Sequence, residues 1–357
     1  MSNNKDALGE SEFLVCIRCM TYNQSAYITD AMDGFAMQQT NFPFVAVIVD
    51  DASTDGEQAV IKSYIEEHFD HTQKTDYREW ETEDAFWTFA RHVENNNCYF
   101  VVVLLKQNLF GNPKKGELIR EWCDTKYIAL CEGDDYWTDP LKLQKQVDFL
   151  EGHEEYCLCC SDALVLNQGQ MESWKRYTDD CKVPVEDIVI GGGLWLQTVT
   201  FVYRNGLLNN YPDCCRKCHV GDYPLIIWAA LNGGVYYLHD ETGVYRFQSA
   251  SSWTSAIKNK PIESLMKGWR SEVEMLKGLD EWSSGMYSGA FCRRIRDYYF
   301  NEIICRYKRY AGKIESGFPD LSCYLSKVQR IRVWFIRLHI EKLYFHLKKI
   351  FILLKWC

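Results

Sequence analysis

Short apolar runs alternate with amphipathic stretches along the first 150 residues of the chain. Four of the runs are rich in β-branched and aromatic residues and end at polar turns, which favours buried strands: 13–17, 44–49, 99–105 and 127–130. The stretches that follow them predict helices: 25–37, a segment from N-cap candidates at 53–55 to residue 69, 116–123 and 140–151. Strands that alternate with helices predict an α/β fold with a mainly parallel sheet and helices on both faces.

The pattern changes after residue 155. A glycine triplet at 191–193 leads into a mixed run, and the following segments predict a helix at 222–231, strands at 235–238 and 243–247, and helices from 262 onward. The segment 70–97 is polar with scattered aromatic residues, and its pattern assigns it to no element.

Composition is ordinary, whereas charge is uneven. The chain has 357 residues, of which 47% are hydrophobic and 25% charged, so it is expected to be globular with about two domains. Its net charge of −9 argues against a nucleic-acid partner. Residues 327–357 hold eight bases and one acid, a balance of +7 that leaves −16 for the rest.

The chain's beginning and its cysteines predict a compartment. The first residues are polar and lack the apolar segment of a signal peptide. No run of 18 apolar residues occurs, so no membrane span is expected. The 16 cysteines are therefore expected to be reduced thiols in the cytoplasm.

Carboxylates follow two of the predicted strands. Asp50 and Asp51 end the second, and Glu132, Asp134 and Asp135 end the fourth. Ligands of α/β sheets bind beyond the carboxyl ends of the strands. Adjacent carboxylates repel one another unless a cation neutralises them, and Mg²⁺ or Mn²⁺ prefers oxygen ligands. The second acidic turn therefore predicts a metal site, with a solvated, helix-capping turn as the alternative.

A third carboxylate, Asp222, opens the predicted helix at 222–231. A carboxylate in that position can act as a general base if the fold brings it to the acidic turn. A helix N-cap is the alternative interpretation.

The segment Cys215-x-x-Cys218-His219 fits the signature of covalent haem attachment. Together with Cys214, the same residues could instead hold zinc, although structural zinc sites usually have two separated ligand pairs. No P-loop, G-x-G-x-x-G or G-x-S-x-G motif occurs, so these nucleotide-binding and hydrolase classes lack support.

Taken together, four blocks in this order resemble the inverting nucleotide-sugar glycosyltransferases of family 2, which have the GT-A fold: 21–23, 45–56, 127–140 and 220–225. The resemblance covers residues 12–253. It implies a GT-A domain over 12–253, followed by a helical extension at 254–326 and a basic amphipathic helix at 327–357.

The resemblance also implies residue roles in donor binding. Thr21, Tyr22 and Asp50 would hold the nucleoside, with Asp50 contacting the base. Asp51 would support the ribose, and Asp134 would lie between the ribose and the metal.

The resemblance implies a metal site and a general base in the same way. Asp135 and Asp134 would hold Mn²⁺ or Mg²⁺ on the diphosphate, with Glu132 as a further candidate ligand. Asp222 would deprotonate the acceptor hydroxyl. The family often has a histidine where this chain has Gln248, which makes Gln248 a candidate ligand and opens the question of metal dependence.

The function implied is inverting transfer of a sugar from a nucleotide sugar, with UDP expected, to a hydroxyl of a saccharide or lipid-linked acceptor. The family analogy suggests bacterial surface-polysaccharide assembly. Two alternatives stay open: a non-catalytic relative that binds nucleotide sugars, and a haem or zinc protein that uses the Cys215–His219 segment.

The C-terminal segment carries an apolar stripe at helical spacing: Val333, Ile336, Ile340, Leu343, Leu347, Ile350 and Leu354. Its basic residues predict docking on an anionic membrane, which would place the protein on the inner face of the cytoplasmic membrane. Packing on the chain's own domain and pairing with a second copy are the alternatives.

Overall fold

The computed structural model describes residues 13–73, 76–247, 249 and 260–340. Within these ranges the chain forms two compact units. The first takes residues up to 184 together with 194–211 and 229–249, and the second takes 185–193, 212–228 and 260–340. The domain boundaries expected at residues 253 and 326 stay predictions.

All strands of the described ranges join one 12-stranded sheet in the first unit. They are β1 (Val15–Thr21), β2 (Phe44–Asp50), β3 (Tyr77–Glu81), β4 (Ala85–Arg91), β5 (Cys98–Leu105), β6 (Tyr127–Leu130), β7 (Tyr136–Trp137), β8 (Leu158–Asn167), β9 (Gln170–Ser173), β10 (Cys181–Lys182), β11 (Val202–Arg204) and β12 (Val235–Phe247). The order is β10-β12-β8-β11-β6-β1-β2-β5-β4-β3, with β7 on β12 and β9 on β8.

The centre of the sheet is the part that the sequence predicted. Strands β6, β1, β2 and β5 are mutually parallel neighbours in that order. They correspond to the four apolar runs, and every residue of β2 is buried. The predicted α/β class is therefore confirmed, while most of the pairs formed by the added strands are antiparallel.

Two strands between residues 77 and 91, in the segment that the pattern left unassigned, form an antiparallel edge to the sheet. Strand β3 pairs with β4, and β4 pairs with β5. Trp80 and Trp87 lie opposite one another with ring centroids 5.5 Å apart. The pattern did not predict these strands because β3 is edge-exposed and mostly polar.

The helices of the first unit are α1 (Ile28–Ala36), α2 (Glu57–His68), α3 (Lys114–Leu118) and α4 (Lys142–Gly152). Apolar residues of α1, α2 and α4 belong to one core cluster with alternate residues of the central strands. Because successive strand residues point to opposite faces, these three helices cover the same face of the sheet.

The remaining helices are α5 (Val185–Gly191), α6 (Asp213–Arg216), α7 (Asp222–Leu231), α8 (Ile262–Trp282), α9 (Ser288–Asp297), α10 (Ala311–Gly317) and α11 (Lys327–Arg337), with a π-helical turn at Tyr298–Ile304. Arg294 lies buried in the second unit, 3.2 Å from Glu272 and 2.5 Å from Glu302. Gly192 has a φ of 77°, and a Cβ there would lie 2.9 Å from the Arg294 guanidinium. This ion cluster therefore requires glycine on its α5 side.

Helix α11 is the described start of the C-terminal segment. A capping box between Ser326 and Gln329 begins it. Val333 and Ile336 of the apolar stripe are buried, so these two residues pack on the chain's own unit. Residues 341–357, which carry most of the stripe, lie outside the described residues. No helix in the described part is both long and apolar enough to cross a membrane.

Candidate functional site

The ends of β1 and β2 lie side by side, because Thr21 is the register partner of Asp50. Asp50 is fully buried. Its Oδ1 accepts hydrogen bonds from the Ser53 backbone N–H at 3.1 Å and from Gln58 Nε2 at 2.5 Å. Its Oδ2 is also buried and has no hydrogen-bond partner among the described residues. A carboxylate oxygen left in this state is costly, and a donor from a ligand would satisfy it.

Glu57, which the sequence analysis did not select, joins the loops after β1 and β2. It is fully buried at the start of α2. Its carboxylate accepts hydrogen bonds from the Thr21 hydroxyl, from the Gln24 backbone N–H at 2.8 Å and from Ser53 Oγ at 2.8 Å. Burial raises the pKa of Glu57. The Thr54-x-x-Glu57 spacing of a capping box was the available signal.

Both carboxylate oxygens of Asp51 have partners within the protein. Its carboxylate accepts the Leu109 backbone N–H at 2.6 Å and pairs with Lys115 at 2.9 Å. It therefore anchors the segment after β5. Tyr22, which follows β1, is by contrast 42% exposed. The backbones of Asn23 and Ala52 take left-handed φ values of 54° and 60°, conformations that concentrate at functional loops.

The acidic turn after β6 is held against the end of β1 through Gly133. A Cβ at Gly133 would lie 2.4 Å from Thr21 Oγ1, so only glycine allows this approach. The Gly133 N–H also donates to the Met20 carbonyl at 3.1 Å. The next two residues, Asp134 and Asp135, are thereby brought beside Thr21 and are buried. Glu132, on the other side of the glycine, is exposed.

The buried pair of carboxylates is electrostatically strained. Burial raises the pKa of Asp134. The pKa of Asp135 rises well above its ordinary value, first through burial and then through the charge of Asp134. A cation at this turn would relieve that repulsion.

Arg246 on β12 supplies one cation to the turn. Its backbone N–H donates to Asp135 Oδ1 at 2.8 Å, and its Nη1 donates to the Asp134 carbonyl at 2.7 Å. The guanidinium also pairs with Asp30 and lies 4.3 Å from the ring centroid of Tyr136. The pairing of β7 with β12 produces this contact, since it places Val244 opposite Tyr136.

The residue chemistry of the turn fits a hard divalent ion. Asp134 and Asp135 provide carboxylate oxygens, and Ser249 Oγ donates to Asp134 Oδ2 at 2.6 Å, which orients it. Gln248 lies outside the described residues. Across the described ranges, no three His, Cys, Asp or Glu side chains converge as a metal site. Other ligands of an ion here would come from a bound ligand or water.

Asp222 lies in the second unit, at the first residue of α7. It is half-buried, and its Oδ1 accepts the Tyr223 backbone N–H at 2.8 Å. Tyr223 is buried, donates through its hydroxyl to the Val189 carbonyl at 2.5 Å, and lies under the Arg294 guanidinium. The start of this helix is therefore firmly anchored inside its own unit.

The cysteine-histidine segment gives no support to a haem or zinc site. Cys215 is buried, and His219 contacts Ser271 Oγ through both its backbone N–H and its Nδ1. Burial raises the pKa of Cys218 to about 11, and within the described ranges this segment forms no group of three metal-ligating side chains. Cys214 packs against Gly278, where a Cβ would lie 2.8 Å from its Sγ.

No model of a known protein family matches the chain. Two curated proteins, the uncharacterized protein Rv1520 of Mycobacterium tuberculosis and the uncharacterized protein Mb1547 of Mycobacterium bovis, are each 31% identical to it over 248 residues. The match covers 68% of this chain and 61% of each relative, so the chain spans less than two thirds of their length.

Solved structures share the architecture. Staphylococcus aureus TarS 1–349 in complex with UDP-GlcNAc is 16% identical, with a TM-score of 0.57 over 92% of this chain and 88% of that one. The same protein in complex with UDP is 14% identical, with a TM-score of 0.55 over the same shares. At this identity the likeness concerns the fold alone. The chain has the GT-A fold with a C-terminal helical extension, as its sequence predicted.

Proposed function

We propose that the protein is an inverting glycosyltransferase that moves a sugar from a UDP-sugar to a hydroxyl of a saccharide or lipid-linked acceptor. The observation that carries the proposal is the buried, unpartnered Oδ2 of Asp50 beside the acidic turn. An imide N–H of a uracil ring would satisfy that oxygen, and the acidic turn would then bind the diphosphate. The shared fold with TarS, which was solved with UDP and UDP-GlcNAc, supports the same donor class.

Each residue at the strand ends then has a role in binding the sugar donor. Asp50 accepts from the base, and the exposed ring of Tyr22 lies against the nucleoside. Thr21 and Glu57 hold the two loops at a fixed distance. Asp51 acts indirectly, since its bonds to Lys115 and Leu109 fix the loop that borders the ribose.

The acidic turn would hold Mn²⁺ or Mg²⁺ through Asp135 and Asp134, with Glu132 as a further candidate. Such an ion neutralises a leaving diphosphate. Arg246 orients the Asp135 carboxylate through its backbone N–H and holds the Asp134 backbone carbonyl through its guanidinium. Asp222 is the proposed general base, and its deprotonation of the acceptor hydroxyl would allow direct displacement with inversion.

We expect Asp135→Asn to weaken Mn²⁺-supported binding and hydrolysis of UDP-sugars. Mutation of a residue that only orients a metal ligand typically lowers metal affinity or activity by about 10–100-fold. Loss of the ligand itself should lower them at least as much. The measurement is calorimetric UDP titration, together with a hydrolysis screen across UDP- and GDP-sugars, with Mn²⁺ and with chelator.

Asp148→Asn is the matched control, because Asp148 is an exposed carboxylate on α4 that bonds only to Gln144 in the described contacts. It should behave as wild type. Full activity in excess chelator would contradict metal dependence. Binding of a UDP-sugar without turnover on any acceptor would favour the non-catalytic alternative. Failure to bind any UDP-sugar would contradict the proposed donor class.

The C-terminal helix is the proposed membrane contact, consistent with a lipid-linked acceptor and a peripheral location. The outer face of α11 exposes apolar residues at helical spacing: Val328, Ile331, Trp334 and Leu338. Arg330 and Arg337 are exposed on the same helix. Interleaved bases and apolar side chains are typical of helices that lie on anionic membranes.

We expect the double substitution Ile331→Asp and Trp334→Asp to reduce cosedimentation with phosphatidylglycerol-containing vesicles by about tenfold or more, since two apolar side chains would no longer insert. These positions are preferable to truncation after Ser326, because truncation would also remove the buried Val333 and Ile336. Met286→Asp, at a residue 76% exposed elsewhere, is the control. Equal vesicle binding by the double variant would contradict membrane docking by α11.

A further inference from the structure

Two half-buried tryptophan rings enclose an arginine beside the β8–β9 hairpin. The Arg176 guanidinium lies 4.7 Å from the ring centroid of Trp174 and 4.6 Å from that of Trp195. Its Nε donates to the Trp195 carbonyl at 2.6 Å, and its Nη2 donates to the Leu194 carbonyl at 3.2 Å. These three residues are the tryptophan–arginine stack. Cation–aromatic contacts on both sides hold the rings in place.

The stack leaves hydrogen bonds unmade. The indole Nε1 atoms of Trp174 and Trp195 are both buried and find no acceptor within the described ranges. Trp137 and Trp87, in the same unit, do have acceptors for theirs, whereas the fully buried Trp122, which lies outside the stack, does not. Each unmade bond costs about 1–3 kcal/mol, so two in one small cluster need an explanation outside simple core packing.

A buried carboxylate is connected to the stack. Tyr237 accepts the Arg176 backbone N–H at 3.4 Å, and its hydroxyl donates to Asp162 Oδ1. Asp162 is 1% exposed, and its Oδ2 has no hydrogen-bond partner in the described structure, with His239 Nε2 3.8 Å away. The site thus combines aromatic surface, two donors and one acceptor without complete internal pairing.

The charges at the site are nearly balanced. Arg176 and Asp162 have opposite sign, and at the surface Lys175 lies 3.9 Å from Glu241. Such a site offers little net attraction to phosphates or acidic polymers. It suits a neutral ligand that has an apolar face for a ring and hydroxyl groups for the unpaired atoms, and a saccharide has both.

The sheet places the stack level with the acidic turn. The Trp174 backbone N–H donates to the Ala163 carbonyl at 3.1 Å. Ala163 is the register partner of Gly243 on β12, and Gly243 is the partner of Trp137 on β7, directly after the turn. With neighbouring strands about 4.8 Å apart, these three steps span about 14 Å. A short oligosaccharide covers such a distance.

We infer that the tryptophan–arginine stack is a binding subsite for a neutral saccharide, and that it holds the acceptor glycan at a sugar remote from the reacting hydroxyl. The acceptor role rests on the proposed function. Saccharide binding itself does not, because it follows from the stack and its unpaired atoms.

The test is saturation-transfer NMR with cello-, malto-, chito- and manno-hexaose as probes, on the full chain. We expect at least one probe to bind wild type, and Trp174→Ala and Trp195→Ala each to weaken that binding about tenfold or more, as loss of a buried aromatic anchor typically does. Trp174→Phe, which keeps a ring and lacks the N–H, should lose less. Trp282→Ala, at an exposed tryptophan at the end of α8, is the control and should bind as wild type.

Hydrolysis of UDP-sugars in the absence of acceptor separates the two proposals. It should be unchanged in Trp174→Ala and Trp195→Ala, with thermal midpoints near that of wild type. Absence of hydrolysis in wild type would count against the proposed function only. Failure of all four probes to bind wild type, or undiminished binding by both alanine variants, would overturn the saccharide subsite.

Discussion

Asparagine in place of Asp222 is expected to lower kcat for sugar transfer by about 10²–10⁴-fold, the usual contribution of a general base. Donor affinity should stay within about twofold, because a base acts on the rate and not on ground-state binding. Asparagine keeps an oxygen that can accept the Tyr223 backbone N–H, so the start of α7 should survive the change. The measurements are steady-state transfer to an acceptor and calorimetric titration with UDP.

Asp213→Asn is the matched control for this substitution. Asp213 opens the short helix α6, and its side chain is 82% exposed in an ion pair with Lys217. An exposed pair of this kind contributes little, so the variant should transfer sugar as wild type does. Near-normal turnover by Asp222→Asn would make Asp222 a helix-terminal residue without a role in proton transfer.

The second large effect is on stability. Arg294→Met is expected to lower the free energy of unfolding by about 3–5 kcal/mol, the usual cost of removing one partner from a buried ion pair. The substitution would leave Glu272, 6% exposed, without its cation. It would also remove the guanidinium that lies over Tyr223. Urea denaturation followed by circular dichroism measures the loss.

Two further variants isolate the cause. Arg293→Met removes an arginine of the same helix whose side chain is 58% exposed, so its effect should stay within about 0.5 kcal/mol. Glu272→Gln in the Arg294→Met background removes the stranded charge and should recover part of the loss. Equal stability of Arg294→Met and wild type would show that the cluster does not stabilise the second unit.

The polar positions at the strand ends could be predicted from the chain alone. Fully buried strands such as β2 are continuous apolar runs, and the run stops at the residue where the strand leaves the core. Asp50 was therefore placed correctly at the end of a central strand. The positions of Asp134 and Asp135 followed in the same way from the run at 127–130.

The partners of those carboxylates could not be predicted. Arg246 is 111 residues from Asp135 along the chain, and the contact depends on the register of β12 against β7. Glu57 shows a similar limit, since a glutamate at the start of a helix usually faces water. Here it turns inward to hold two loops from different strands.

Local sequence thus determined the central strands, the α/β class and the turns that bear the candidate donor-site residues. Each of these depends on whether one continuous segment is buried, which the run of apolar residues in that segment indicates. Tertiary structure decided which charges are buried. From the sequence, Lys142 is expected on the surface of an amphipathic helix, yet it is fully buried. Its amine lies 2.6 Å from Gln146 Oε1 and 4.4 Å from the centroid of the Trp137 ring. Burial lowers its pKa to about 7. Such an environment is assembled from several elements, and no periodicity within one element encodes it.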